Sequence, residues 1–531
     1  MMVSILQRRS APLSSVLMRT VVCIMCFQVS SSSKILILPG VPVGSHYLFM
    51  AKIGKLLTER GHNITMVTNE GFNALHGKRL EQDKSVFSFE EYQSIFNSDF
   101  IQSYLRASRG VFDGSVDFWD IFANIKQLSV DCEMLLEDND LFLRLDESNY
   151  DLIVANSFHL CHALVVHKLN IPFISVSTQR IIPMLDGSFH GIPSYPSYVT
   201  ALMSGLMDKM TFVQRLRNFG HYLLSYFVFN HVMLKPYKSL KDTHNIRPDA
   251  SLHELLGSSE MAFFCFDFAF EFPRPSMPHA VHIGGLLAGP ASPLTKDWEE
   301  FIGSAENGVV VFSFGSHANI ALNPGKAELF VRAFARLPQK VIMRYDGPPP
   351  PGVGDNTKLA KWIPQNDLLG HPKTKAFVAH GGMNSVYEAI YHGIPVVGVP
   401  LFADNSDNFA RLVDRGMALT VDIVTLTEDQ LYKAVTTVVH DKSFKENAMR
   451  LSRIHRNQPM TAGESAVYWT EYVLRHGGQH LRPASFDLNI FQYFLVDVFA
   501  FCLVVCGIVV YIAAKICKLC CHVCRRKEKI Q

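Results

Sequence analysis

The sequence predicts an α/β protein of two doubly wound, Rossmann-like domains, followed by one C-terminal transmembrane helix. The chain has 531 residues, of which 48% are hydrophobic, so it is too long for one ordinary core and can fill two. Short apolar runs alternate with helical spacing of apolar residues in both halves, as in parallel sheets with crossover helices. An uncharged apolar stretch near the C-terminus, followed by basic residues, predicts a membrane span.

Candidate strands recur in the same order in the two halves. In the first half they fall at 34–39, 63–68, 150–156 and 172–176, and in the second at 309–314, 340–345, 376–379 and 396–399. A helix ending near Gly61 separates the first two strands. The Gly- and Pro-rich segment 284–295 is the predicted linker, so we expect a ligand crevice between the two domains.

The two ends of the chain predict that it enters the secretory pathway and that its body lies in the lumen. Arg8, Arg9 and Arg19 precede a short apolar run and then small residues, which is typical of a signal peptide, with a buried strand or an anchor as the alternative. The basic tail predicts a cytosolic C-terminus and a luminal body. The predicted segments are a signal peptide at 1–30, an N-terminal domain at 31–284, a C-terminal domain at 285–455, helices packing back to the body at 456–490, a transmembrane helix at 491–514 and a basic tail at 515–531.

Composition excludes several classes of protein. The net charge of +2 gives no electrostatic basis for binding nucleic acid. Only Cys132, Cys161 and Cys265 would lie in the luminal body, so we expect packing rather than disulfides to hold it together. Since no spacing of His, Asp or Glu fits a zinc or calcium site, we expect neither a metal nor another cofactor.

Two aromatic and Met-rich regions, at about 90–125 and 185–255, lack strand alternation and are predicted to be helical. They could line an apolar pocket, or they could be ordinary core helices, and the pattern favours neither.

The segment with the clearest chemistry surrounds a glycine turn. His380, Gly381 and Gly382 follow the predicted strand at 376–379, and Asn384 begins the next helix. A strand, a glycine turn and a helix start bring free backbone N–H groups and the positive end of the helix dipole to one point, which suits a diphosphate. A turn that only reverses the chain would leave this cluster of donors unexplained.

The segment WIPQNDLLGHPKTKAFVAHGGMNSVYEAIYHGIPVVGVPLFADNSDN, which contains this turn, resembles the signature of the microsomal UDP-glycosyltransferases, or UDP-glucuronosyltransferases. The resemblance extends from a GSH motif near the start to the basic tail. FEFPRPSMPHAVHIGG, RLPQKVI and IHRNQP are similar to the ceramide galactosyltransferase branch and to fish conjugating enzymes. The family implies the GT-B architecture, with an N-terminal domain that binds the acceptor and a C-terminal domain that binds a UDP-sugar.

The resemblance implies a role for each residue of the donor site. Trp362 would stack on uracil, Gln365 would meet its edge, and Glu388 would hold the ribose hydroxyls. The diphosphate would be bound by His380, Gly382, Asn384 and Ser385 from one side and by Ser313, Gly315 and Ser316 from the other. Asp404 and Asn405 match the sugar-reading pair, which is usually Asp-Gln in glucuronosyl enzymes and Asp-His in the galactosyl branch, so the Asp-Asn pair leaves the donor open.

The resemblance also implies that His46, in the GSH motif, is the base that takes the acceptor proton. The family usually orients this histidine with an aspartate, but here Asn156 stands in its place. An amide oxygen could accept the histidine N–H, yet it carries no charge to stabilise the imidazolium. Asp151, five residues earlier on the same strand, would be about 16 Å away and is a poor substitute.

The predicted activity is inverting transfer of a hexosyl group, glucuronosyl as first choice, from a UDP-sugar to a hydroxyl of a small lipophilic acceptor. Glucosyl or galactosyl transfer to a lipid such as ceramide is one alternative. A partner that binds nucleotide sugar with little or no catalysis is the other, because of Asn156. The family implies a single-pass type I protein of the endoplasmic reticulum membrane, and association with itself or with relatives stays open.

Overall fold

The computed structural model describes residues 32–42, 45–101, 110, 112, 118–178, 183–315, 320 and 323–528. The predicted signal peptide at 1–30 and the end of the basic tail at 529–531 lie outside the described residues.

The first half of the chain forms a seven-stranded parallel sheet. Its strands are β1 (Lys34–Leu38), β2 (Asn63–Thr68), β3 (Ser88–Glu91), β4 (Leu152–Asn156), β5 (Phe173–Ser177), β6 (Met261–Phe264) and β7 (Ala280–His282). Their order is β3-β2-β1-β4-β5-β6-β7. The order reverses between β1 and β4, so the loops that leave the carboxyl ends of these two strands diverge and open a crevice.

The helices of this half are α1 (His46–Glu59), α2 (Glu70–Asp83), α3 (Phe118–Glu137), α4 (Asn139–Glu147), α5 (Cys161–Leu169), α6 (Pro183–His190), α7 (Phe212–Val228), α8 (Leu234–Thr243) and α9 (Leu252–Leu256), and a π-helical turn, Phe229–Met233, joins α7 to α8. Leu234 and Tyr237 of α8 are buried against Leu135 and Leu136 of α3. Helices α3 and α8 therefore contribute ordinary core packing, and an acceptor pocket lined by the helices of this half stays a prediction.

The second half forms a six-stranded parallel sheet. Its strands are β8 (Val309–Ser313), β9 (Lys340–Arg344), β10 (Thr357–Ala360), β11 (Thr374–Ala379), β12 (Val396–Gly398) and β13 (Ala418–Thr420), in the order β10-β9-β8-β11-β12-β13. The helices are α10 (Lys296–Gly303), α11 (Pro324–Ala335), α12 (Gln365–Gly370), α13 (Met383–His392), α14 (Asn405–Asp414) and α15 (Glu428–His440). A second switch point lies between β8 and β11, which confirms the prediction of two doubly wound units.

Two helices after this sheet connect the halves. They are α16 (Lys442–Arg456) and α17 (Ala462–His476), followed by 3₁₀ turns at Gln479–Leu481 and Ala484–Asp487. Ala466 and Val473 of α17 are buried in a core that includes residues of both sheets, and Glu471 accepts a 2.9 Å bond from Arg60 at the end of α1. The chain therefore returns to the first half before it reaches the apolar helix.

A disulfide corrects the expectation that packing alone holds the body together. Cys132 of α3 and Cys161 of α5 are bonded, with 5.4 Å between their Cα atoms. Cross-linking residues 29 apart removes conformational entropy from the unfolded chain, which amounts to roughly 3–4 kcal/mol. With only three candidate cysteines, pairing depended on how the two helices pack, which their spacing does not reveal.

The apolar helix begins later than its predicted start at 491. A short helix, α18 (Ile490–Tyr493), comes first, and the chain then turns at Leu495, which has φ of 53°. This left-handed conformation interrupts the helix, so 491–494 are not part of the continuous long helix. The long helix α19 (Val496–Glu528) follows, and its segment Val496–Cys520 is long and apolar enough to cross a bilayer.

Candidate active site

Contacts between the two halves bring the carboxyl ends of both sheets to one crevice. The backbone N–H of Asp267 donates to the Tyr387 hydroxyl at 2.6 Å, and the rings of Phe112 and Phe314 are stacked with centroids 6.1 Å apart. Cys265, directly after β6, lies close enough to Asp404 to interact with its charge. The loops that follow the strands of one sheet therefore face those of the other.

The predicted diphosphate turn begins where β11 ends. Gly382 is the N-cap of α13, and since no side chain caps this helix, its first N–H groups are available to a ligand. A Cβ atom at Gly382 would lie 2.5 Å from Nε2 of His380, and one at Gly315 would lie 2.8 Å from Cε1 of the same ring. Both glycines are therefore required for His380 to sit between the two loops.

The imidazole of His380 is neutral near pH 7. Burial and, to a smaller extent, the nearby Arg344 charge lower its pKa to about 4, although a hydrogen bond with the backbone of Ser313 partly offsets them. A neutral imidazole retains one N–H donor. Positive charge at the turn comes instead from Arg344, whose guanidinium donates to the carbonyl of Gly315 and lies 5.8 Å from the Trp362 ring centroid. Arg344 was not predicted as a site residue.

Three residues that were predicted to bind the nucleoside lie at or near the start of α12. Gln365 donates through its Nε2 to a carboxylate oxygen of Glu388 and to the Ser385 hydroxyl at 3.0 Å. Burial raises the pKa of Glu388 to about 7, although the bond from Gln365 opposes this. Trp362 is 68% exposed, so its ring face is accessible for stacking.

The predicted sugar-reading pair lies at the start of α14. Burial raises the pKa of Asp404, and Asn408 donates to its carboxylate at 3.0 Å. The Oδ1 atom of Asn405 accepts the backbone N–H of Leu401 and of Phe402, at 3.4 and 3.2 Å. Since this oxygen holds its own loop, any contact of Asn405 with a sugar must come from the Nδ2 group.

Three further residues were predicted to bind the diphosphate of the UDP-sugar. Ser313 is buried at the end of β8, and its hydroxyl accepts the N–H of Gly315 at 3.3 Å, so it shapes the loop. Asn384 is in the first turn of α13. Ser316 lies outside the described residues. Within the described ranges, no group of three or more His, Cys, Asp or Glu side chains could hold a metal ion.

His46 and Asn156 meet at the switch point of the first sheet. His46 is the first residue of α1, and Asn156 is the last residue of β4, beside β1. The Nδ2 atom of Asn156 lies 3.0 Å from Nδ1 of His46 and donates to the Pro39 carbonyl at 3.0 Å. Its Oδ1 accepts the N–H of Phe158 at 2.9 Å.

The amide oxygen of Asn156, which could have accepted the histidine N–H, is therefore turned away from His46. The Phe158 N–H requires an acceptor and the Pro39 carbonyl requires a donor, so these backbone groups fix the amide with its NH₂ towards His46. Asp151 is no substitute, since its carboxylate accepts the N–H of Lys34 at the opposite end of the sheet.

Thr178 is a further residue of this pocket that the sequence did not reveal. Its hydroxyl lies 2.5 Å from Nδ1 of His46 and 3.1 Å from Nδ2 of Asn156. It comes just after β5, which pairs in parallel with β4, so strand order brings it beside Asn156. That order is not readable from spacing alone. The hydroxyl can accept from the imidazole, which the amide cannot do in this orientation.

Burial governs the ionisation of His46. Desolvation lowers its pKa to about 4, and the nearby His76 contributes to the same shift. The ring is consequently neutral at pH 7 and is able to take a proton. An aspartate at 156 would raise this pKa, since an opposite charge favours the imidazolium.

Comparisons with known proteins identify the family. Residues 33–531 match the family described as UDP-glucoronosyl and UDP-glucosyl transferase. This chain belongs to that family. UDP-glucuronosyltransferase 2B15 of Homo sapiens is 38% identical over 516 residues, covering 95% of this chain and 96% of the relative. The 2-hydroxyacylsphingosine 1-beta-galactosyltransferase of Homo sapiens is 36% identical over 473 residues, covering 88% and 85%. The predicted family is confirmed.

Solved structures confirm the GT-B fold of this UDP-glycosyltransferase. The glycotransferase of kitacinnamycin has a TM-score of 0.59 at 17% identity and covers 84% of this chain and 98% of its own. The calicheamicin glycosyltransferase CalG4 has a TM-score of 0.55 at 19% identity, with 84% and 99% covered. At these identities the likeness establishes the fold and nothing finer.

Gly382→Ala is expected to weaken UDP binding at least tenfold, because the added Cβ forces His380 and the start of α13 apart. The measurement is equilibrium binding of radiolabelled UDP to the full chain in detergent. Gly303→Ala is the matched control, since a Cβ there meets nothing within 4 Å. Equal affinity in both variants and the parent would show that UDP does not bind at this turn.

Proposed function

We propose that this protein transfers a hexosyl group, glucuronosyl as first choice, from a UDP-sugar to a hydroxyl of a small lipophilic acceptor, with inversion at the anomeric carbon. The observation that carries the proposal is the neutral imidazole of His46 at the switch point of one sheet, across the crevice from the uncapped start of α13 in the other. Membership of the family supports the donor class.

In this mechanism the acceptor oxygen attacks the anomeric carbon while His46 takes the hydroxyl proton. The C1–O bond to the diphosphate breaks, and UDP leaves with its electron pair, so α becomes β. The free N–H groups of α13 and the Arg344 guanidinium stabilise the charge on the leaving diphosphate. For Nε2 to be the free base, Nδ1 must carry its proton and donate it to an acceptor. The Thr178 hydroxyl, at 2.5 Å, is that acceptor.

The sugar preference rests on the Asp404–Asn405 pair. The Asn405 oxygen is engaged by its own loop, so its Nδ2 group and the Asp404 carboxylate are left for the donor. The relatives include both glucuronosyl and galactosyl transferases, as their names state. Galactosyl or glucosyl transfer to a lipid such as ceramide is therefore the first alternative.

We place the protein in the endoplasmic reticulum membrane as a single-pass type I chain with its body in the lumen. The apolar segment Val496–Cys520 and the basic residues after it support this orientation. The Cys132–Cys161 disulfide also fits an oxidising compartment.

A second candidate function follows from Asn156. An amide beside His46 carries no negative charge, so the imidazolium formed during transfer is less stable than it would be beside a carboxylate. The chain would then bind nucleotide sugar, with weak or no turnover, in association with active relatives.

The donor panel separates the two functions. Microsomes expressing the chain are expected to release UDP from one of UDP-glucuronic acid, UDP-glucose and UDP-galactose when phenols, steroids or ceramide are added. His46→Ala should reduce release to background while UDP binding stays within about twofold, since the two sites lie on opposite sheets. Background release from the parent with every donor, together with measurable UDP binding, would reject the enzyme and favour the binding partner.

Asn156→Asp is expected to raise kcat and to move the acid limb of the pH profile upward. The new carboxylate raises the His46 pKa above its value of about 4 by about 1–3 units, so the base is lost at a higher pH as the medium is acidified. The measurement is kcat/KM from pH 4 to 9 with the preferred donor. Because the Pro39 carbonyl receives the amide N–H, a fall in kcat would show that the pocket requires the amide.

Thr178→Val is expected to lower kcat about tenfold, which corresponds to one orienting hydrogen bond, with KM for the donor unchanged. Thr178→Ser is the matched control and should keep most of the activity, because it retains the hydroxyl. If Val and Ser variants lose activity equally, the methyl packing of Thr178 matters rather than its bond to His46.

A further inference from the structure

Helix α7 turns its apolar side away from the protein. Its exposed large hydrophobic residues are Phe212, Val213, Leu216, Phe219, Leu223, Leu224, Tyr226 and Phe227. The four most exposed of them have exposed fractions of 58% to 72%. At about 100° per residue they occupy roughly 160° of the helix circumference. An exposed apolar surface of this extent marks a contact with a membrane or another macromolecule.

The side of α7 that faces the body is polar. Asn218 and Tyr222 are the buried residues of this helix. Asn218 donates to the carbonyls of Pro196 and Val199, at 2.8 and 2.9 Å, and accepts the N–H of Ala201 at 2.7 Å. The helix is therefore held by specific hydrogen bonds with its apolar side outward, and hydrophobic packing against the body does not account for that side.

The loop that α7 holds also contacts the segment that leads to the apolar C-terminal helix. A Cβ atom at Gly191 would meet Pro483 and Phe486 at 2.9 Å. Further along the loop, Tyr195 interacts with Tyr493, three residues before α19 begins at Val496. Helix α7 is thus joined, through this loop, to the segment that leads into the apolar C-terminal helix.

The charges around α7 fit a lipid surface. No Asp or Glu occurs from residue 209 to residue 241, whereas Lys209, Lys235 and Lys238 are exposed. On the helix itself, Arg215 and Arg217 border the apolar side at its two edges, where long basic side chains reach headgroups while their stems stay in contact with acyl chains. Apolar and aromatic residues on one side, with basic residues at the margin and no acids, are typical of helices that lie in a membrane interface.

We propose that α7 lies in the surface of the same membrane that Val496–Cys520 crosses, with its apolar side among the lipid acyl chains. The body then has two attachments to the bilayer, one spanning helix and one helix in the interface. This proposal does not depend on the sugar, the acceptor or the presence of catalysis.

Site-specific photo-crosslinking in the full chain tests the proposal. The photoreactive residue p-benzoylphenylalanine replaces Phe219 in one variant and Leu143 in another, and each protein is reconstituted into phosphatidylcholine nanodiscs that contain a radiolabelled lipid. Leu143 is the matched control: it is 61% exposed and lies in α4, whose Arg144 contacts Glu90 on edge strand β3, at the far side of the sheet from β7. We expect at least fivefold more lipid adduct at position 219 than at position 143.

Two outcomes would overturn the proposal. One is equal lipid labelling at the two positions. The other is an adduct at position 219 with a second protein chain, which would show that the apolar side is a protein interface. A second variant adds Leu216→Glu and Leu223→Glu to the protein that carries the photoreactive residue at position 219. Both changes affect only exposed side chains and should lower the lipid adduct severalfold. Unchanged labelling in that variant would also contradict docking through this side.

Discussion

The relation between the two sheets depends on one buried ion pair and the helix that bears it. The guanidinium of Arg411 in α14 donates to Glu271 at 2.6 Å, and the two side chains are 0% and 2% exposed. Removing one partner of such a pair leaves an uncompensated buried charge and typically costs about 3–5 kcal/mol. One turn earlier, Asp407 accepts the N–H groups of Met203 and Gly205 from the first half, at 2.6 and 2.8 Å. Since the same helix begins at Asn405, these contacts also fix where the predicted sugar-reading pair stands relative to the opposite sheet.

In the pocket around His46, the partner of the imidazole is an amide and a hydroxyl instead of a carboxylate. A carboxylate beside an imidazole both orients it and stabilises its charged form, and an amide can only orient. Here Asn156 is not the only residue that orients the imidazole, because backbone groups turn its amide so that the NH₂ faces His46. In the proposed mechanism, the hydroxyl of Thr178 supplies the acceptor that selects the reactive tautomer. The imidazole is thus held in position but has no neighbouring negative charge. Binding of a nucleotide sugar therefore does not by itself imply turnover in this chain.

Sequence reasoning succeeded where one local pattern has one structural outcome. Apolar runs became parallel strands, and the glycine turn after Ala379 became an uncapped helix start, because backbone sterics and N–H groups act over a few residues. It failed where the outcome depends on tertiary neighbours. The Cys132–Cys161 bond required two helices to pack, and Thr178 required the β4–β5 pairing. Helix α7 falls in a region that the sequence predicted only to be helical, and which of its sides faces the body depends on hydrogen bonds to a loop.

A short stretch of chain connects the membrane-facing helix to the crevice. Asn218 of α7 holds the loop at Pro196 and Val199, and a few residues later Asp407 of α14 holds the same loop at Met203. Because both contacts act on backbone groups, the loop is a continuous hydrogen-bonded connection between α7 and the helix that begins with the sugar-reading pair. Docking of α7 in the lipid surface would therefore fix the orientation of the crevice relative to the bilayer, which a single spanning helix with a turn at Leu495 cannot do. Lipophilic acceptors concentrate in the acyl region, so the side of the body that touches lipid is the side from which they would arrive.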